Sequence, residues 1–195
     1  MVSAAGRNFY GGILARDAFN GLQLWQQKLD PSPARGGYVY NPSNSAPRPL
    51  AIGSEVLVFT AGKLAALDGA TGALKRQYPE AGTPRETVAD HGTIFAVEKA
   101  AIRAVDHQTG TLRWKYEAVE PRYLVAGEGS VFFVQGEPRR GESVSLVRLD
   151  QATGARRWER KGYDWLPQVR QCVYHQGRVV CEISTLGAEK QGNSI

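Results

Sequence analysis

Four aspartates, Asp17, Asp68, Asp106 and Asp150, each stand four residues before a glycine: Gly21, Gly72, Gly110 and Gly154. Thr71, Thr109 and Thr153 precede three of those glycines, with Asn20 in the first copy. A carboxylate and a hydroxyl in a short Gly-containing loop suggest a calcium loop. Calcium takes six to eight oxygens, however, and each copy supplies only one carboxylate. The loops are therefore read as turns. The Asp carboxylate accepts hydrogen bonds from backbone N–H groups of its own loop, Gly takes the positive φ, and the Thr hydroxyl satisfies another loop group.

The other reactive side chains do not converge. His91, His107 and His175 fall at or beside turns in three different parts of the chain, an unpromising spread for a shared metal or a Ser–His–Asp arrangement. The sequence lacks Cys-x-x-Cys-His, His-Glu-x-x-His and any phosphate-cradling Gly loop. No catalytic residue and no metal ligand is assigned. Cys172 and Cys181 flank a Gln176-Gly177 turn, and counting outward pairs them across two strands at a non-hydrogen-bonded position. Two readings stay open for them: a disulfide, or two neighbouring buried thiols.

The elements that position these residues form a repeat. Eight residues after each Asp stand Trp25, Arg76, Trp114 and Trp158, and four before stand Ile13, Leu64, Ile102 and Leu146. Apolar runs on both sides of each Asp loop predict a hairpin. The Trp lies on its second strand and is read as filler between successive units. Arg76 breaks that series, although its stem can still cover apolar surface. A second hairpin precedes each loop: His91-Gly92, Glu128-Gly129 and Gln176-Gly177 are tight X-Gly turns, and Gly53-Ser54 is a looser equivalent. Each unit is thus four antiparallel strands, A to D. The Asp-to-Asp spacings of 51, 38 and 44 residues bracket a propeller blade.

The pattern Ala104-Val105-Asp106…Thr109-Gly110…Trp114, with Leu149-Asp150…Thr153-Gly154…Trp158, resembles the repeat of quinoprotein-type β-propellers, the pyrroloquinoline quinone (PQQ)-like repeats. That family includes quinone-dependent alcohol dehydrogenases and BamB-like assembly factors. The resemblance covers residues 13 to 183. It implies an all-β propeller of four-stranded antiparallel blades, about four blade equivalents, part of an eight-bladed ring. It also implies a periplasmic or membrane-tethered setting. The motif is scaffold and carries no activity with it. Quinoprotein dehydrogenases place calcium ligands, a catalytic Asp and often a vicinal cysteine pair near the axis. Cys172 and Cys181 are not vicinal, and no PQQ or calcium ligand maps onto a numbered residue here.

The expected organisation is one propeller segment: a half-blade at 13–29, blades at 48–78, 86–116 and 122–160, and a half-blade at 168–184. Three arrangements fit two strands, then twelve, then two. The chain is a slice of a longer propeller, or half a ring completed by a second copy, or a four-bladed ring closed by its own half-blades. The slice is favoured, because open ends leave sheet edges exposed. The net charge of +5 is scattered, which argues against nucleic acid. Neither a signal peptide nor a membrane-span length of apolar residues occurs.

Strand alternation puts the A–B and C–D turns on one rim and the B–C and D–A connections on the other. The short regular turns are assigned to the first rim. The long connections, residues 30 to 47 and Gly136 to Ser143, belong to the second, and long loops in a compact repeat are where function concentrates. Arg35, Tyr38, Tyr40, Arg85, Arg139, Arg140, Tyr163 and Trp165 make that rim basic and aromatic, suited to an acidic or planar partner. The leading expectation is a non-catalytic scaffold that binds a protein or small ligand there. The alternative is a fragment of a quinone-dependent dehydrogenase whose ligands lie outside the segment.

Overall fold

A computed structural model describes residues 12–28, 47–137 and 143–184. Among the described residues sixteen strands form five antiparallel sheets. β1 (Gly12–Arg16) and β2 (Gln23–Lys28) make a two-stranded sheet. Three four-stranded sheets follow: β3 (Leu50–Ile52) to β6 (Leu74–Tyr78), β7 (Glu86–Asp90) to β10 (Leu112–Glu117), and β11 (Arg122–Gly127) to β14 (Arg156–Lys161). β15 (Val169–His175) and β16 (Arg178–Ile183) close the series as a second pair. Within every sheet the strands run in chain order. The first strands lie beside one another, β3 by β7, β7 by β11 and β11 by β15. The sheets therefore fan out from their first strands, the arrangement of propeller blades. No helix among the described residues is long and apolar enough to cross a membrane.

Four apolar clusters fill the four gaps between consecutive sheets. Trp25 joins Val58, Ala65 and Leu67; Leu57, Leu64, Ala66 and Tyr78 meet Ile94, Ala96 and Val105. Phe95, Ile102 and Trp114 meet Val131, Phe133 and Leu149, and Val134 and Val144 meet Val169 and Cys172. Neighbours in one strand belong to different clusters: Leu57 faces forward and Val58 backward, Phe95 forward and Ile94 backward. Central strands buried on both faces must be apolar throughout, which is why β8 reads Thr-Ile-Phe-Ala-Val without a break.

The same irregularity recurs in all four C–D hairpins. Register shifts at Ala15/Arg16, Ala66/Leu67, Leu112/Trp114 and Arg148/Leu149 leave Leu24, Lys75, Arg113 and Arg157 unpaired in the ladder. The extra residue of a bulge twists the strand, and here it lies immediately before the Trp or Arg position.

Of the three arrangements, the four-bladed ring closed by the chain's own half-blades is not seen: β1–β2 and β15–β16 are separate sheets. One expectation about topology is corrected. The tight X-Gly turns are not confined to one rim. Ala61-Gly62 joins β4 to β5 on the opposite rim, with both residues at positive φ and Thr60 paired with Lys63. The sequence Thr60-Ala61-Gly62-Lys63 is as competent for a two-residue hairpin as His91-Gly92.

Candidate functional site

On the regular rim the Asp loops do what their composition prescribes. Asp106 Oδ1 accepts the N–H groups of Gln108 and Thr109 at 2.9 and 2.7 Å, and Asp68 and Asp150 repeat this with their own loops. Two aspartates carry a second bond absent from the sequence reading: the bulge residues Arg113 and Arg157 donate to Asp106 Oδ2 and Asp150 Oδ2 at 2.5 and 2.7 Å. The Thr109 N–H, with the Arg113 guanidinium next, holds the Asp106 carboxyl far below the usual range. Arg157 and Thr153 bring Asp150 down to about 2. These carboxylates are saturated by their own loops and are not free ligands.

Each loop then locks to the preceding blade. Trp25 Nε1 donates to the carbonyl of Gly69, and Trp114 Nε1 to that of Gln151, both at 2.9 Å. Arg76, the exception in the series, uses its guanidinium the same way, donating to the carbonyl of His107 at 2.8 Å. In each case the acceptor directly follows the loop Asp. The indoles lie on the loop glycines: a Cβ on Gly72 would sit 2.7 Å from Trp25, and one on Gly154 would sit 2.6 Å from Trp114. His107 adds a bond across the same gap, Nε2 to Glu55 Oε2 at 2.9 Å, and Gln151 reaches Asp90 at 3.0 Å.

The opposite rim is less occupied by such locks. Val119, Gln135, Gly136, Ser143, Ser145, Glu159 and Lys161 line an open cleft of about 330 Å³. Its acid is Glu159, on β14. The Ser145 hydroxyl, then Lys161 and Gln135, hold the Glu159 carboxyl below its ordinary value, and it also pairs with Arg156 at 2.9 Å. A fixed carboxylate beside a lysine, two serines and an amide can hydrogen-bond a polar ligand through complementary donors and acceptors.

Of the sequence-chosen rim residues, Tyr163 and Trp165 come together, stacked at 5.5 Å, with Tyr163 45% exposed. Trp165 also packs on the cluster under β15. Arg85 has a structural role: it pairs with Glu120 at 2.8 Å and caps the Glu98 carbonyl. Arg35, Tyr38, Tyr40, Arg139 and Arg140 lie outside the described residues.

Near the inner strands, Glu86 of β7 accepts the N–H of Tyr123, a non-glycine residue at φ 57 in the irregular start of β11. Burial raises its carboxyl above the ordinary value. Cys172 stands opposite Cys181 in the β15–β16 register with the sulfurs 3.0 Å apart. Burial, then the Cys181 sulfur, pushes the Cys172 thiol up. Among the described residues no three His, Cys, Asp or Glu side chains gather on one point.

Comparison with known proteins places the repeat. A family model described as outer membrane protein assembly factor BamB matches residues 1–91 and again residues 79–180. The chain belongs to this PQQ-repeat, BamB-type family. Among solved structures, BamB from Moraxella catarrhalis superimposes with a TM-score of 0.58 at 18% identity, over 90% of this chain and 53% of that one. A europium-containing methanol dehydrogenase superimposes with a TM-score of 0.50 at 23% identity, over 63% of this chain and 26% of that one. Both likenesses are of fold. The chain spans about half the length of the BamB structure and about a quarter of the dehydrogenase. No curated protein sequence matches it.

Proposed function

We propose that this PQQ-repeat segment is a non-catalytic scaffold that binds a protein or small ligand through the rim carrying its B–C and D–A connections. One observation carries the reading. The other rim is consumed by blade-to-blade locks, while this rim keeps an open cleft with Ser143, Ser145, Glu159 and Lys161, and the exposed Tyr163 stacked on Trp165. The family description supports a protein partner at the outer membrane and hence an extracytoplasmic location. The rival is a slice of a quinone-dependent dehydrogenase whose cofactor ligands lie outside this segment.

A photo-crosslinking residue tests the reading when placed at Tyr163 and, separately, at His91 on the locked rim. Adducts with an outer-membrane assembly protein from position 163 and none from 91 support it. Equal labelling from both positions, or adducts only from 91, sinks it. Calcium-dependent perturbation of the PQQ absorption spectrum, with dye-linked alcohol oxidation, by the complete protein would favour the rival.

A further inference from the structure

Three D–A connections lie wholly within the described residues. Residues 79–85 and 162–168 are seven residues each, while residues 118–121 are four. The two long ones behave alike. Each makes a proline-bearing 3₁₀ turn, over Pro79–Ala81 and Leu166–Gln168, and sends one apolar side chain into its gap. Ala81 is 0% exposed in the cluster between the first and second full blades, and Leu166 is 1% exposed in the cluster under β15. Four residues leave no room for such a turn. Val119, in the short connection, is 51% exposed instead.

The cleft by Glu159 is the unsealed mouth of that gap. Gln135 and Ser145 stand two residues from Phe133 and Val147, which pack in the cluster between the second and third full blades. They therefore share that face. Glu159 and Lys161 are the cross-strand partners of Val147 and Ser145 and share it too. With Val119 they line the cleft.

The preceding gap shows how a turn is held at such a mouth. Gln135 takes in the third blade the place of Glu98 in the second, each five residues after the residue paired with the loop Asp. Glu98 Oε1 accepts the N–H of Thr83, just past the 3₁₀ turn, at 3.0 Å, and lies so close to Gly82 that no Cβ fits there. At the open mouth the carboxylate is Glu159. Arg156 holds its Oε2 at 2.9 Å. The contacts of its Oε1 with Gln135 and Lys161 are long, 3.3 and 3.4 Å.

We propose that the cleft seats a turn of a partner polypeptide, proline-bearing and carrying one small apolar side chain, which plugs this gap as Ala81 and Leu166 plug theirs. The proposal rests on the reading of this rim as the binding rim and names the partner's chemistry. The apolar side chain packs on Val119. A backbone N–H of the turn donates to Glu159 Oε1, and its carbonyls accept from Lys161 and Ser143. A wholly apolar plug would bury Glu159 Oε1 without a better donor. A cationic one would meet Arg156 and Lys161 already beside the carboxylate. The neutral backbone of a turn supplies donor and acceptor together.

Nuclear magnetic resonance titration of the isotope-labelled chain tests this. The probe is a blocked peptide copying residues 78–83, Tyr-Pro-Glu-Ala-Gly-Thr. Saturable shifts are expected at Val119, Gln135 and Ser145, with Gly92 on the locked rim unmoved. The dissociation constant should be on the order of 1 mM or below, because a free hexapeptide must be ordered. Glu159→Gln should raise it by about tenfold or more, as loss of a charged acceptor does. Val119→Trp, at a half-exposed position, should fill the mouth and abolish the shifts. Near-UV circular dichroism confirms that both variants keep their packed aromatic residues. No saturable shift, shifts centred on Glu98 or Leu166, or binding indifferent to both substitutions overturns the proposal. Shifts with a neutral disaccharide and none with the peptide overturn it as well and assign the cleft to a small polar ligand. Adducts from position 163 that survive Val119→Trp overturn it while leaving the rim reading standing.

Discussion

The indole N–H of Trp114 reaches across the gap between the second and third full blades and donates to the carbonyl of Gln151 at 2.9 Å, where both groups are buried. The same ring covers Gly154 so closely that no side chain fits there. One residue thus fills the gap, satisfies a buried carbonyl and fixes the register of two loops. Removing it acts on all three.

Trp114→Ala is expected to lower unfolding stability by about 3–5 kcal/mol, the range for a large aromatic truncated in a packed interior. Trp114→Phe keeps most of the ring but leaves the Gln151 carbonyl unpaired, at a cost of about 1–3 kcal/mol. Urea denaturation followed by circular dichroism measures both. Equal losses for the two variants would show that the hydrogen bond, rather than the packing, dominates.

Gly154→Ala should be more damaging than Gly129→Ala. Both glycines have φ near +70, so both variants carry the backbone strain of about 1 kcal/mol. Only at Gly154 does the new Cβ meet backbone-anchored ring atoms, 2.6 Å from Trp114; at Gly129 nothing lies within 4 Å. Thermal melts of the two variants should separate clearly, and coincident melts would mean that the indole moves aside freely.

Arg76 stands where the other units have Trp, and its guanidinium supplies the same bond to the following loop. Arg76→Trp should therefore be tolerated, while Arg76→Leu, which keeps apolar bulk and loses the donor, should cost about 1.5–3 kcal/mol. Denaturant midpoints decide this. A stable Arg76→Leu variant would mean that stem packing alone suffices there, since Tyr78 also donates to the His107 carbonyl.

The repeat was legible because its signal is backbone chemistry. Positive φ at Gly72, Gly110 and Gly154 leaves few residues to choose from, and an Asp that accepts two loop N–H groups cannot be exchanged freely. The role of Arg76 was not legible, since a donor at the end of a flexible side chain has no period of its own. The bulge residues Arg113 and Arg157 were missed for a related reason. A one-residue slip in the D strand breaks the alternation that assigns side chains to faces, and these two bulges put a guanidinium next to their own Asp. The cleft by Glu159 draws on three strands and two connections, and no local pattern marks it. Ala61-Gly62 carries the same two-residue hairpin signal as His91-Gly92, but it joins the second and third strands of its blade, a connection with no such turn in the other units.

Acid should loosen the regular rim through these aspartates. Asp150 is ordinarily half-protonated near 3.8, and Arg157 and Thr153 bring it to about 2 in the folded protein. A carboxyl depressed on folding contributes stability that is fully present above its unfolded value and is lost as pH falls through the folded value. The contribution is therefore intact above about pH 4 and fades between 3.8 and about 2. Asp150→Asn lacks the charge at every pH. Its melting temperature should lie below the wild type at neutral pH and approach it in that window. A constant gap down to pH 2 would show that the charge is irrelevant and the turn geometry is everything.

Cys172 and Cys181 face each other across β15 and β16, and we expect them to form an intramolecular disulfide under mild oxidation. Treatment with diamide joins the two sulfurs; the two protons and two electrons leave to the diazene, which becomes a hydrazine. The protein's mass falls by two hydrogens and its oligomeric state is unchanged. Before oxidation, burial keeps the Cys172 thiol protonated at neutral pH, and the thiolate is the nucleophile. Iodoacetamide should accordingly modify Cys172 slowly in the folded protein and at once in urea. Cys181→Ser should abolish the mass change. Cross-linked dimers in place of the mass loss, or a Cys172 that alkylates as fast folded as unfolded, would show that the β15–β16 hairpin opens in solution.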